Sequence, residues 1–190
     1  MTKKNTGIEL ENIVCSAIKK TIDDKKFIVE QPYVLIEQHK KYYSKDRNDY
    51  ITTDISIEKY LENPKINSDV TPSLIIIIEC KDYKSSIPVD DVEEFYSKLQ
   101  QIGAHKGIIF TRHGSFQKSA LTYAESKRIG LAKIIPEELT YLMHSISTIS
   151  TKNKYIEALT DSKFMSNSGN FFCSDGIDDF DDYLNSFIDL

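Results

Sequence analysis

Leu74-Ile75-Ile76-Ile77-Ile78-Glu79-Cys80-Lys81-Asp82-Tyr83 is the stretch of this chain that says most about it. Unbroken Leu and Ile is the pattern of a short strand buried on both faces, since a half-exposed strand would alternate apolar with polar residues. A charged pair follows at once. Side chains alternate along a strand, so Glu79 and Lys81 share one face while Cys80 points to the other. Two residues at about 3.3 Å each hold the acid and the lysine roughly 7 Å apart on a rigid element. An acidic-x-Lys pattern alone says little. It starts at Asp23, Asp24, Glu79, Asp82, Glu125 and Asp161, and only the Glu79 instance ends a buried strand.

Upstream, Tyr50 to Glu58 alternates, is rich in β-branched residues and reads as the preceding strand. Asp54 interrupts it within Thr53-Asp54-Ile55-Ser56-Ile57. If the two strands pair as a hairpin, Asp54 and Glu79 face each other across it. Carboxylates that close repel unless a cation sits between them. Hard oxygen ligands favour Mg²⁺, with Mn²⁺ as a substitute, and leave room for water and a phosphate. Lys81 would orient or deprotonate the attacking water and offset charge in the transition state. Asp69, nearer to Glu79 but in a connection spanning 59–73, stays open as the alternative partner.

The remaining elements frame this pair. Thr6 to Asp23 reads as a helix with a Thr6–Glu9 capping box and Leu10, Val14, Ala17, Ile18 and Ile22 at helical spacing. Glu11 shares the stripe of Val14, Cys15, Ile18 and Ile22, an awkward place for a charge unless something neutralises it. Residues 27–38 read as a strand and 39–48 as a turn. That turn mixes Lys40, Lys41, Lys45 and Arg47 with tyrosines, as a nucleic-acid-contacting loop would. After Glu79 the predicted order is helix (88–101), strand (107–111), helix (115–128, stopped by Gly130), strand (131–135) and helix (136–147). Arg112 follows a strand end and is a further phosphate candidate. Strands meeting in sequence at the front and alternating with helices behind predict an α/β fold: a central mixed sheet flanked by helices.

Charge is unevenly divided. The net charge is −5, yet from Asp161 onward there are seven aspartates and one lysine, so the first 160 residues carry about +1. Residues 1–150 read as one domain and 151–190 as an acidic, Ser-, Asn- and Asp-rich tail. Within the tail, Phe180, Tyr183, Leu184 and Phe187 space like one face of a short docking helix. No apolar run approaches the roughly 18 residues of a membrane span, and no secretory signal is visible. Three scattered cysteines fit a reducing, cytoplasmic setting better than disulfides or zinc.

Asp54 followed by Glu79-Cys80-Lys81 at the end of an apolar strand resembles the PD-(D/E)xK nuclease superfamily, and within it the Mrr-like restriction endonucleases. Gly7-Ile8-Glu9-Leu10-Glu11 is similar to their opening-helix motif, in which a glutamate reaches back toward the metal. Gly107 to Thr111, Gly114-Ser115-Phe116 and the Ala120–Ala124 helix resemble their next strand and helix. The likeness covers residues 6–135 and departs at Thr53, where the name-giving proline would stand, and in the long gap from Asp54 to Glu79. It implies a Mg²⁺-dependent endonuclease acting on DNA, with Asp54, Glu79 and Glu11 at the metal and Lys81 on the water. Products with 5′-phosphate ends and a homodimer are also implied; a near-neutral body with no recognition domain of the usual size further leads us to expect a protein partner that supplies specificity. The competing reading is a non-catalytic nuclease-like module that binds DNA or a protein within a complex.

Overall fold

The computed structural model describes residues 6–134, 171–173 and 180–188. Its elements are α1 (Thr6–Asp23), β1 (Val34–Gln38), β2 (Lys41–Ser44), β3 (Asp49–Thr52), β4 (Ile55–Lys59), β5 (Leu74–Cys80), α2 (Val89–Ile102), β6 (Lys106–Thr111), α3 (Lys118–Lys127), β7 (Gly130–Ile134), β8 (Phe171–Cys173) and α4 (Phe180–Ser186). The main sheet runs β1-β4-β5-β6-β7-β8, antiparallel from β1 to β5, parallel from β5 to β7, and antiparallel again at β8. This is the expected mixed α/β sheet.

The Ile run behaves as its composition demands. Ile76 and Ile78 face one core with Leu10, Val14 and Ile18 of α1, while Ile77 faces a second core with Val92, Phe95 and Leu99 of α2. Each fully buried side chain of this size contributes roughly 1.5–3 kcal/mol of transfer free energy, so sealing both faces is what fixes β5 centrally. The α2 and α3 crossovers, packed on one face, allow β5, β6 and β7 to run parallel. Their carboxyl ends therefore open at one edge of the sheet.

Several boundaries differ from the sequence expectation, and the largest difference shapes the site. Residues 34–44 and 49–59 form one long antiparallel hairpin in continuous register, Val34↔Lys59 through Gln38↔Ile55 to Lys41↔Thr52 and Ser44↔Asp49. The predicted 39–48 turn is thus mostly strand, and the predicted 50–58 strand is broken between Thr52 and Ile55. The break is a kink. His39 adopts a left-handed φ of 55°, its N–H donates to the Asp54 carbonyl at 3.1 Å, and Thr53 N–H donates to the Lys40 carbonyl at 3.0 Å. Upstream, the strand begins only at Val34, after a cis Gln31–Pro32 peptide.

Smaller corrections concern helix ends. Pro88 caps α2 from outside rather than opening it, and Gly103 closes it in the left-handed conformation at φ 74°. Arg128, not Gly130, terminates α3. Gly130 is instead required by packing, because a Cβ there would meet Tyr183 Oη of α4 and the ring of Phe187 just after it. The predicted 136–147 helix lies outside the described residues. α4 buries Tyr183 and Leu184 in the α1-side core, with Phe187 just beyond it. Asp181 of α4 accepts from Thr21 Oγ1 and Lys26 Nζ. Burial works to raise that carboxyl, but these two donors outweigh it and hold the group below its ordinary range.

Candidate active site

The hairpin kink and the end of β5 meet. The β4–β5 register pairs Ile55 with Ile78, so the next position on each strand sets Asp54 opposite Glu79. Asp54 leaves the ladder there and accepts the Cys80 backbone N–H on Oδ2 at 2.7 Å. The long gap to Glu79 is explained by direction. β4 runs away from Glu79, and the 60–73 connection returns at the opposite end of β5. Asp69 sits in that exposed connection, its N–H bonded to Asn67 Oδ1. The structure thus brings Asp54, and not Asp69, to Glu79.

Glu79 is 7% exposed and is gripped by two lysines, with Lys81 Nζ and Lys98 Nζ each 3.1 Å from Oε1. Burial works to lower both ammonium pKa values, but the carboxylates around them, Glu79 first and Glu94 also for Lys98, outweigh it and raise them. Asp91 of α2 lies 4.0 Å from Lys81, and Glu94 lies 3.1 Å from Lys98. Lys98 and Asp91 were not singled out from the sequence. Their signal was available: seven residues apart, they flank the Val92–Phe95–Leu99 stripe on the side that turns to the sheet.

Glu11 approaches from α1. Its carboxyl is raised first by burial and then by Asp54 and Glu79, with His39 opposing. Asp54 is raised likewise by burial and by Glu79, against the Cys80 N–H, Lys98 and Lys81. Glu11 Oε2 is buried without a hydrogen bond, and His39 Nε2 lies 3.4 Å from it. The three predicted acids therefore feel one another through a poorly screened interior. An orphaned carboxylate oxygen among mutually repelling acids is the donor chemistry that suits a hard divalent cation. Among the described residues, no three His, Cys, Asp or Glu side chains are gathered tightly enough to hold an ion as they stand.

Cys80 turns to the α1-side core, as alternation predicted, and its thiol is pushed up by burial and by the acids around it. The candidate cations divide. Lys41, Lys45 and Arg47 are exposed on the hairpin, although Arg47 Nε also donates to Gln101 Oε1. Lys40 is held by Glu37 and Glu58 at 2.6 and 2.8 Å. Arg112 is buried and clamped between Asp82, 2.7 Å away, and Glu9 at 3.4 Å. Asp82 also takes His113 Nδ1 at 2.8 Å, so it braces the ends of β5 and β6.

The Mrr catalytic-domain model, described as restriction endonuclease, matches residues 44–143. No curated protein matches the chain. The crystal structure of the protein of unknown function AF1548 is similar at TM-score 0.43 and 14% identity, over 78% of either chain. The family match runs from the last residue of β2 through β7 and includes Asp54, Glu79 and Lys81. This chain belongs to the Mrr catalytic-domain family of restriction endonucleases.

Proposed function

We propose that the chain is a Mg²⁺-dependent endonuclease that hydrolyses phosphodiester bonds in DNA, Mn²⁺ being able to substitute. The observation that carries the proposal is the juxtaposition of Asp54 with Glu79 at the end of β5, with Lys81 Nζ 3.1 Å from the Glu79 carboxylate. Asp54 and Glu79 would hold the metal, and Glu11 would support it directly or through water. A bound Mg²⁺ would act as Lewis acid and lower the pKa of a water. Lys81, whose ammonium is held up by Glu79 against burial, would orient or deprotonate the water and offset developing phosphate charge.

Lys41, Lys45 and Arg47, exposed on the hairpin, would meet phosphates. Lys40 and Arg112, already paired, would hold the hairpin and the rim. Buried, unpaired Cys15 and Cys80 support a cytoplasmic setting, and no helix among the described residues is long and apolar enough to cross a membrane. A homodimer cutting both strands, and a partner supplying specificity, belong to the same proposal.

The second reading, a non-catalytic binding module, is favoured by one observation: both lysines already neutralise Glu79 without any ion. Cleavage of supercoiled plasmid and labelled single- and double-stranded DNA with Mg²⁺, Mn²⁺ or EDTA decides between them. Metal-dependent cutting lost in Glu79→Ala and Lys81→Ala supports the enzyme. No cutting and no metal binding supports the module.

A further inference from the structure

The outer half of the hairpin has two unlike faces. Tyr42, Ser44 and Ile51 turn inward, and Ser44 Oγ donates to Gln101 Oε1 at 3.0 Å, which fastens the arm to α2. On the other face the cross-strand pairs are Tyr43↔Tyr50 and Lys41↔Thr52, all exposed. Tyr43 and Tyr50 are 49% and 60% exposed, and their rings meet edge to face with centroids 5.5 Å apart and planes at 69°. Lys41 shares that face and Lys45 follows in the exposed turn, while Arg47 is held from the inward side by Gln101 Oε1 at 2.7 Å. A cross-strand aromatic pair stabilises a hairpin whether or not anything binds it. Here the inward face already anchors the arm, and large aromatic area is left to water beside cations.

We infer that this face is a stacking platform for unpaired bases, so that the nuclease engages DNA through a single-stranded or locally unpaired segment. The substrate class follows from geometry. In a duplex the base faces are covered by their neighbours, and a ring on a rigid arm meets only groove edges and phosphates. An unpaired base offers its π-face, and the neighbouring cations suit the backbone beside it. Tyr50 precedes Asp54 by four residues, at most about 13 Å of extended chain, so a base stacked there keeps its strand within a few nucleotides of the acids. The inference rests on the nuclease reading for its biological sense, but not for its test.

Binding is measured in EDTA by anisotropy, with the whole chain, a labelled single strand of about 16 nucleotides and the matching duplex. Tyr43→Ala with Tyr50→Ala is expected to lower single-strand affinity about 10- to 100-fold and duplex affinity by less than about 3-fold. Tyr43→Phe with Tyr50→Phe should stay within about 2-fold of wild type, because stacking needs the ring and not the hydroxyl. Tyr50→Ala alone serves if the double variant fails to fold. The chain has no tryptophan, so Tyr50→Trp supplies a single reporter whose emission single strands should quench and duplexes should not. Unchanged single-strand affinity in the alanine variants, equal losses on both substrates, or an unmoved Tyr50→Trp signal overturns the platform. Since no cleavage is read, a tyrosine-dependent preference without metal-dependent cutting would sink the nuclease reading and leave this one standing.

Discussion

Asp54 and Glu58 lie four residues apart on one edge of the same hairpin, both withdrawn from water, yet the fold treats them in opposite ways. Glu58 is 3% exposed and fully answered: Lys40 Nζ at 2.8 Å and the hydroxyls of Tyr42 and Tyr60 all donate to it. Burial works to raise its carboxyl, but those three donors outweigh the penalty and hold it below the ordinary range. The phenols of Tyr42 and Tyr60 are pushed up in return, first by burial and then by Glu58. Asp54 receives a single backbone N–H on its carboxylate, and burial first and then Glu79 push that carboxyl up. One acid is neutralised by its own protein. The other is left with negative charge to spare, which is the arrangement expected where something outside the chain completes the site.

The sharpest way to break this contrast is to remove each centre's lysine. Lys81→Ala should lower cleavage by about 10²- to 10⁴-fold, with a melting temperature close to wild type because Lys98 still answers Glu79. Lys40→Ala should do the reverse. It strands Glu58 with its charge and costs about 3 kcal/mol, while the enzyme that remains folded still cuts. Denaturation curves and cleavage rates on the same two proteins test the division. If Lys40→Ala kills activity without loss of stability, the Glu58 centre is not structural.

Metal should sharpen the contrast next. Mg²⁺ that binds only the folded chain stabilises it by linkage, about 2.7 kcal/mol at 100 times its Kd. The melting temperature of the wild type should rise with Mg²⁺ and fall back with EDTA. It should stay flat in Asp54→Ala, and still rise in Glu58→Gln. A rise retained in Asp54→Ala would remove that carboxylate from the metal site.

How much of this could be read in the residues differs between the two centres. β5 was legible because a continuous Ile run admits few other readings, and alternation then placed Glu79, Lys81 and Cys80 correctly on their faces. The role of Glu58 was not. Its partners Lys40 and Tyr42 sit in a segment whose polar composition reads as a turn, and only cross-strand register brings them to it. Lys98 was only half legible: helical spacing gives its face, but not how closely α2 approaches the end of β5. The kink was half visible. Asp54 broke an alternating pattern, and the left-handed His39 that bends the partner strand left no mark a sequence would show.

The smallest expected effect concerns pH. Asp54→Asn keeps an oxygen for the Cys80 N–H and removes the repulsion, so without metal it should melt a few degrees above wild type at neutral pH. The folded pKa of Asp54 is raised, which means the folded state takes up its proton before the unfolded chain does. Lowering the pH through that raised value relieves the wild type, and the gap should have closed once the pH reaches the unfolded value of about 3.9. Glu58→Gln should show the opposite sign and a lower window. Its folded pKa is depressed, so the wild-type advantage is complete above the unfolded value of about 4.3 and is lost as pH falls toward the folded one. Melting curves across this range on the three proteins would show the two gaps closing in sequence, Asp54 first. If both gaps close together, or if Asp54→Asn is the less stable protein at neutral pH, then Asp54 is as well compensated as Glu58 and the case for a site waiting on a cation loses its electrostatic support.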